Sequence, residues 1–287
     1  MANLAVQIFT FTSTESAAVD ELVTGMATAT VTWTLVGERT IMAPRRTGAG
    51  NAVIRHTPLS AQGNVVAATA LTKGFTEAIA DYYIFYGCCG VVDAADVGKI
   101  FRVASVSYLS LGVVRNPKTT TGPQSDEVVK LKNKWIVLTD PADQSPLPTI
   151  TLPAGAPGQP GTVDGLDIAD AHVLATDKVI NVPPATLAPA PITPGGNVYA
   201  KGEWTYAQSL AQYANSAAVP VLVDMESFGI ASTALALGRD LRVLVLRVAT
   251  DALSDKPGQS DAEQQRRLTA RLPELAAVLA RIIDFSG

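Results

Sequence analysis

The sequence predicts an α/β fold around a mostly parallel sheet. Three observations carry this. Short, almost wholly apolar runs recur at 82–86 (YYIFY), 220–224 (PVLVD) and 242–248 (RVLVLRV), as expected of strands buried on both faces. Segments of helical period flank them, at 64–80, 225–238 and 261–283. The chain has 287 residues, 47% of them hydrophobic, enough for a core without disulfide or metal staples. Strands alternating with helices then read as a sheet covered on both faces.

Taken in order, residues 3–11 (NLAVQIFTF) form a strand. Ser13 or Thr14 caps a helix through SAAVDELVTGM, with Glu15 in the first turn to suit the helix dipole. Residues 29–35 and 51–56 have β-branched character and read as two short strands. The polar segment between them holds Arg45, Arg46 and several glycines. Val65, Ala68, Leu71 and Phe75 place a helix on 64–80, the run 82–86 stops at Gly87, and 97–107 reads as a further strand. From 116 to 196 the texture changes: eleven of the eighteen prolines fall between Pro141 and Pro194. This is expected to be an insertion or decorated region of one domain, with short strands near 133–139 and 171–181. After it come a helix at 203–216, the strand 220–224, a helix over 225–238 ending at Gly238, the strand 242–248, and a closing helix over 261–283. Pro273 is expected to kink or restart that helix.

Composition excludes several classes. A net charge of −4 argues against non-specific binding to nucleic acid, which needs a basic footprint. Two adjacent cysteines, Cys88 and Cys89, do not make a disulfide scaffold. With two histidines, His56 and His172, and no CxxC or HxxxH spacing, no metal site is expected. The N-terminus lacks a basic leader pattern and no run reaches the roughly 18 apolar residues of a membrane span. A cytoplasmic protein with no membrane partner is the expectation. A mean hydropathy of +0.22 suggests an apolar surface and a homo-oligomer, a dimer or hexamer.

In parallel sheets, ligands sit beyond the carboxyl ends of the strands. The residues there are Glu15, the glycine turn Gly87–Gly90, Met225-Glu226-Ser227 and Thr250-Asp251. Each acid alone reads equally as a helix cap. Together they offer an acid, a base and a hydroxyl acceptor on one rim.

The stretch VLVDMESFGIASTALALGRDLRVLVLRVATDALSD resembles the carboxy-terminal half of the nucleoside phosphorylase and methylthioadenosine/adenosylhomocysteine nucleosidase superfamily. That family has a Met-Glu pair after a strand, then a helix, then a strand ending in Arg-x-x-Ser-Asp. Met225-Glu226 and Arg247-Val248-Ala249-Thr250-Asp251 match, with Thr for Ser. Upstream, GCCGVVDAADVGKI resembles the family's glycine turn through Gly87, Gly90, Val97 and Gly98, with Lys99 in place of the usual Asp. The resemblance covers most of 3–110 and 198–283. It implies a phosphorylase/nucleosidase-like three-layer sandwich around a partly barrelled sheet.

The resemblance also implies roles. Asp251 protonates the leaving purine at N7, for which burial would raise its pKa. Glu226 accepts the ribose hydroxyls and opposes the oxocarbenium charge. Met225 packs against the sugar, Thr250 orients Asp251, Gly87 belongs to the binding turn, and Glu15 orients or deprotonates water. Trp204 and Tyr206 fall near the base-stacking position. No cofactor is implied, and the partner is a nucleoside or nucleotide. The phosphorylases' arginine before the glycine turn is missing (Phe85-Tyr86-Gly87 stands there), as is their early phosphate loop, so water is the expected nucleophile. Arg45 and Arg46 keep inorganic phosphate open, or a nucleotide's own phosphates in a defence or signalling nucleosidase. A catalytically inactive nucleoside-binding or storage protein is the alternative from another class.

Overall fold

The computed structural model describes residues 3–29, 33–45, 50–59, 61–108, 149–154, 163–176, 219–253 and 260–285. Their strands are β1 (Leu4–Thr10), β2 (Thr34–Gly37), β3 (Thr40–Pro44), β4 (Asn51–Pro58), β5 (Tyr82–Val91), β6 (Ile100–Tyr108), β7 (Thr149–Thr151), β8 (Ala169–Ala175), β9 (Val221–Asp224) and β10 (Val243–Ala252). The helices are α1 (Ser13–Ala29), α2 (Asn64–Thr76), α3 (Ser227–Ala236), α4 (Asp261–Thr269) and α5 (Leu272–Phe285).

One sheet runs in the order β10-β6-β8-β9-β5-β1-β4-β3-β2, with β7 on β6. β10 also pairs with β5, so β10, β6, β8, β9 and β5 close into a five-stranded barrel within the larger sheet. The pairs β1–β4, β1–β5, β5–β10, β6–β8 and β8–β9 are parallel. Antiparallel pairs make the β2–β3–β4 edge and the β5–β9 and β6–β10 contacts that complete the barrel.

The apolar strands alternate as a doubly covered sheet requires. In β5, Ile84 and Tyr86 join one core with α1, α4 and α5, through Val19, Leu268, Leu275 and Leu279. Tyr83 and Phe85 join the other, with Leu71 of α2 and Ile230 of α3. β10 divides likewise, Leu244, Leu246 and Val248 against Val243, Val245 and Ala249. Three layers result, helices either side of the sheet.

Several expectations shift. The strand expected at 29–35 starts later, at Thr34, because α1 continues to Ala29; β3 occupies part of the polar segment between the two expected strands. The helix expected over 225–238 is Ser227–Ala236, followed by Gly238 at φ 59°, a left-handed closing position that favours glycine. The closing helix is two, α4 and α5, and Pro273 sits at the start of the second, where its missing N–H costs nothing. The glycine turn is a correction: Gly87–Gly90 lies inside β5, and Thr250–Asp251 lies inside β10. The expected strand at 133–139 and helix at 203–216 lie outside the described residues, and of 171–181 the described part is the end of β8.

Candidate functional site

β5 and β10 run parallel with Arg247 opposite Gly87 and Asp251 opposite Gly90, the register slipping between Ala249 and Asp251. Such a bulge re-aims the residues that follow it. Arg247 is fully buried. Its Nε donates to Asp224 Oδ2 at 2.7 Å and its Nη2 to Glu226 Oε2 at 3.4 Å. A buried guanidinium needs such partners, since isolating it in the core costs several kcal/mol. Its guanidinium also lies 5.8 Å from the centre of the Phe11 ring.

Glu15 is held by three backbone donors. Oε2 accepts from Phe11 N at 2.7 Å and Thr12 N at 3.0 Å, and Oε1 accepts from Cys88 N at 2.8 Å. Thr12 Oγ1 in turn accepts from Glu15 N at 3.2 Å. Thr12 and Glu15 therefore form a reciprocal capping box at the start of α1; the cap is Thr12, not Ser13 or Thr14. The cap turns Oε1 toward β5, where Gly87 has no side chain. A Cβ on Gly87 would lie 2.6 Å from Glu15 Oε1 and 2.7 Å from Arg247 Nη1. Glu15 and Arg247 face each other across that glycine.

Glu226 follows β9 at the N-cap position of α3, but its side chain caps nothing. Asp224 does that work, accepting from Ser227 N at 3.1 Å and from Ser227 Oγ. Glu226 is thereby released to accept Gly63 N at 3.2 Å and to meet Arg247. Gly63, at φ 108°, opens α2, and α2 is clamped to α3 by Gly229 N donating to Asn64 Oδ1 at 2.8 Å. Any side chain at Gly229 would strike the Asn64 carbonyl. Burial pushes the Glu226 carboxyl up to about 7, with Asp224 and Glu15 adding to the rise and Arg247 opposing it. One guanidinium among three carboxylates cannot keep them all charged at low cost.

Asp251 is buried near the end of β10. Thr250 Oγ1 donates to its Oδ2 at 3.3 Å, and a Cβ on Gly90 would come within 3.1 Å of its Oδ1. Arg267 of α4 donates to the Thr250 carbonyl and anchors the bulge to that helix. Met225 is half-buried beside Glu226.

The structure thus gathers Glu15, Gly87 and Glu226 around Arg247, with Thr250 and Asp251 farther along the same strand. Arg45 lies elsewhere: Pro44 pairs with Asn51, and Leu4 with Ala52, so it sits at the amino edge of β1. Thr10 is six residues on, about 20 Å at 3.3 Å per residue. Arg46, Trp204 and Tyr206 lie outside the described residues. Sequence reasoning missed the roles of Asp224 and Arg247, and of Gly63; an arginine inside the apolar run RVLVLRV was the available signal, because a buried arginine demands a carboxylate. It also missed the rings of Tyr108 and Phe228, stacked at 4.6 Å. Among the described residues no group of three or more His, Cys, Asp or Glu is arranged to hold a metal ion, and no helix is long and apolar enough to cross a membrane.

Sequence comparison finds no matching family model and no matching curated protein. Solved structures do match. The 5′-methylthioadenosine/S-adenosylhomocysteine nucleosidase of S. pneumoniae, with a transition-state inhibitor, aligns at a TM-score of 0.53 and 16% identity, covering 97% of this chain and 100% of that one. The same enzyme of Neisseria meningitidis, in complex with methylthio-immucillin-A, aligns at 0.53 and 15%, covering 96% and 98%. The futalosine hydrolase of Helicobacter pylori aligns at 0.51 and 10%, covering 96% and 97%. The chain has the nucleosidase fold. The partly closed barrel and the flanking helix layers are those the resemblance implied. In this nucleosidase fold the carboxylate cluster is assembled from β5, β9, β10 and the start of α1, two separate halves of the chain.

Proposed function

We propose that the chain hydrolyses the N-glycosidic bond of a purine nucleoside. The observation that carries this is the buried cluster of Glu15, Arg247 and Glu226 around Gly87, set in the nucleosidase fold. Breaking the bond develops positive charge on the ribose and negative charge on the base. Glu226, free of capping duty, accepts the ribose hydroxyls and faces the positive sugar. Of the roughly four lone-pair sites of Glu15, three accept backbone N–H groups, and the Cys88 thiol bonds the same carboxylate. Glu15 Oε1 and Arg247 Nη1, facing each other across Gly87, suit a water that donates to the carboxylate in place of the weak thiol donor and accepts from the guanidinium. Fixed donors and acceptors of this kind orient a nucleophile without reorganising during the reaction. Asp251 is the acid that protonates the leaving purine, and Thr250 orients its carboxyl.

The fold and this geometry favour water over phosphate: Arg45, the described candidate for an oxyanion, stands at the far edge of the sheet from Glu15. The test is a panel of purine nucleosides and nucleotides, with and without phosphate, followed by identification of the sugar product. Free base and free sugar without phosphate are expected. Asp251→Asn is expected to lower turnover by about 10²–10⁴-fold, the usual contribution of a general acid, with ligand affinity little changed. A sugar 1-phosphate formed only with phosphate would make the chain a phosphorylase. Binding with no product would make it a binding protein.

A further inference from the structure

The site reading leaves His56 unused, although its side chain is fully buried. Nδ1 pairs with Asp20 Oδ1 at 2.7 Å, and Asp20 is itself gripped by Arg39 Nε at 2.9 and 3.1 Å. On the other side of the ring, Nε2 bonds Thr10 Oγ1 at 2.9 Å. Thr10 Oγ1 bonds Ser16 Oγ at 2.8 Å, and Ser16 Oγ donates to the Thr12 carbonyl, also at 2.8 Å. Ser16 N donates to the same carbonyl at 2.9 Å. Thr12 is the residue whose N–H and Oγ1 clamp Glu15. The relay therefore runs from an ion pair on the flank of α1, through one imidazole and two hydroxyls, to the residue that orients the carboxylate. Ser16 Oγ gives its single proton to the Thr12 carbonyl, so Thr10 Oγ1 donates to Ser16 Oγ and accepts from His56 Nε2–H. With Asp20 accepting at Nδ1, the relay is complete when both ring nitrogens carry protons, a state that burial opposes and Asp20 favours. Without the Nε2 bond a buried hydroxyl is left short of a partner.

We propose that His56 is a positioning residue for Glu15, acting through Thr10, Ser16 and Thr12 to hold the Oε1 atom toward Gly87 and Arg247. The role rests on the nucleosidase reading above. It links three elements that the sequence alone keeps apart: β4, which carries His56; the β1 end, which carries Thr10; and the first turns of α1.

Three substitutions separate positioning from mere stability. In His56→Gln the side-chain amide reaches as far as Nε2 and keeps the Thr10 bond, while in His56→Asn it reaches Asp20 and loses Thr10. Thr10→Val breaks the same link while sparing the His56–Asp20 pair. The readouts are purine release and amide hydrogen exchange at Phe11, Thr12 and Cys88, whose N–H groups hold the Glu15 carboxylate. His56→Asn and Thr10→Val are expected to lower kcat tenfold or more with KM within about twofold, and to speed exchange at those three amides. His56→Gln should stay within about threefold of wild type in both readouts. Equal behaviour of His56→Asn and His56→Gln, or wild-type values in Thr10→Val, overturns the proposal; Thr10→Val decides the matter if His56→Asn does not fold. Should wild type release no purine while exchange still divides the variants as stated, the relay stands and the nucleosidase reading falls.

Discussion

At the scale of single residues, the deciding feature is which carboxylates are committed to holding backbone and which are free. Asp224 caps α3 and anchors Arg247, so Glu226 two residues later does neither job alone. Glu15 serves the cap and is still placed for the proposed site, because the capping box uses Oε2 and leaves Oε1 facing Gly87. The raised carboxyl of Glu226, up to about 7, has a functional consequence. If its ionised form accepts the ribose hydroxyls, affinity is lost as pH falls through about 7. On the acid side, kcat/KM is expected to drop by up to tenfold per pH unit below that point, and Glu226→Gln should show a low value without that limb. A pH profile of kcat/KM from 5 to 9 checks this; a wild-type profile flat between 5 and 7 would remove Glu226 from substrate binding.

At the scale of elements, the parallel β5–β10 pair builds the site by register. Glycines in β5 stand opposite the proposed site residues of β10, Gly87 beside Arg247 and Gly90 beside Asp251. The side-chain space is taken at Gly87 by charged groups from α1 and β10, and at Gly90 by Leu253 and Asp251. Gly87→Ala puts a methyl group 2.6 Å from Glu15 Oε1 and 2.7 Å from Arg247 Nη1. These groups must move, and a misplacement of about 1 Å can cost on the order of 10²-fold in rate. Overpacking of this kind costs about 1–3 kcal/mol in stability. The expected outcome is a large fall in kcat beside a drop of only several degrees in melting temperature, measured by steady-state kinetics and thermal unfolding.

At the scale of the whole molecule, closing five strands into a barrel draws the 4–91 and 221–253 segments together and buries a charge cluster between two cores. Function and stability then oppose each other at Glu226. Its folded pKa stands above the ordinary carboxylate value of 4.5. The neutral form is favoured on folding, so this group's contribution to stability is full below pH 4.5 and is lost as pH rises through about 7. The shift bounds the effect at about 3 kcal/mol. Wild type is therefore expected to lose melting temperature relative to Glu226→Gln between pH 5 and pH 8. A difference constant across that range, in paired thermal melts, would contradict the burial argument.

The sequence by itself determined which runs become buried strands, because a strand covered on both faces is apolar at nearly every position, as in YYIFY and, between its two arginines, RVLVLRV. Glu226 and Asp251 stood out through the family resemblance, since either acid alone reads equally as a helix cap, and Pro273 marked a kink or restart of the closing helix. The tertiary structure alone decided that Gly87–Gly90 is strand rather than turn. A glycine's local preference for turns is outweighed there by pairing with β10 along 87–90 and, at Gly90, with β9 as well. It alone decided the partners of Arg247, whose three carboxylate neighbours lie 21, 23 and 232 residues away in the chain. Periodicity reports which side of an element is buried. It carries no information on which distant charge arrives opposite it, because that follows from strand order and register across the closed barrel.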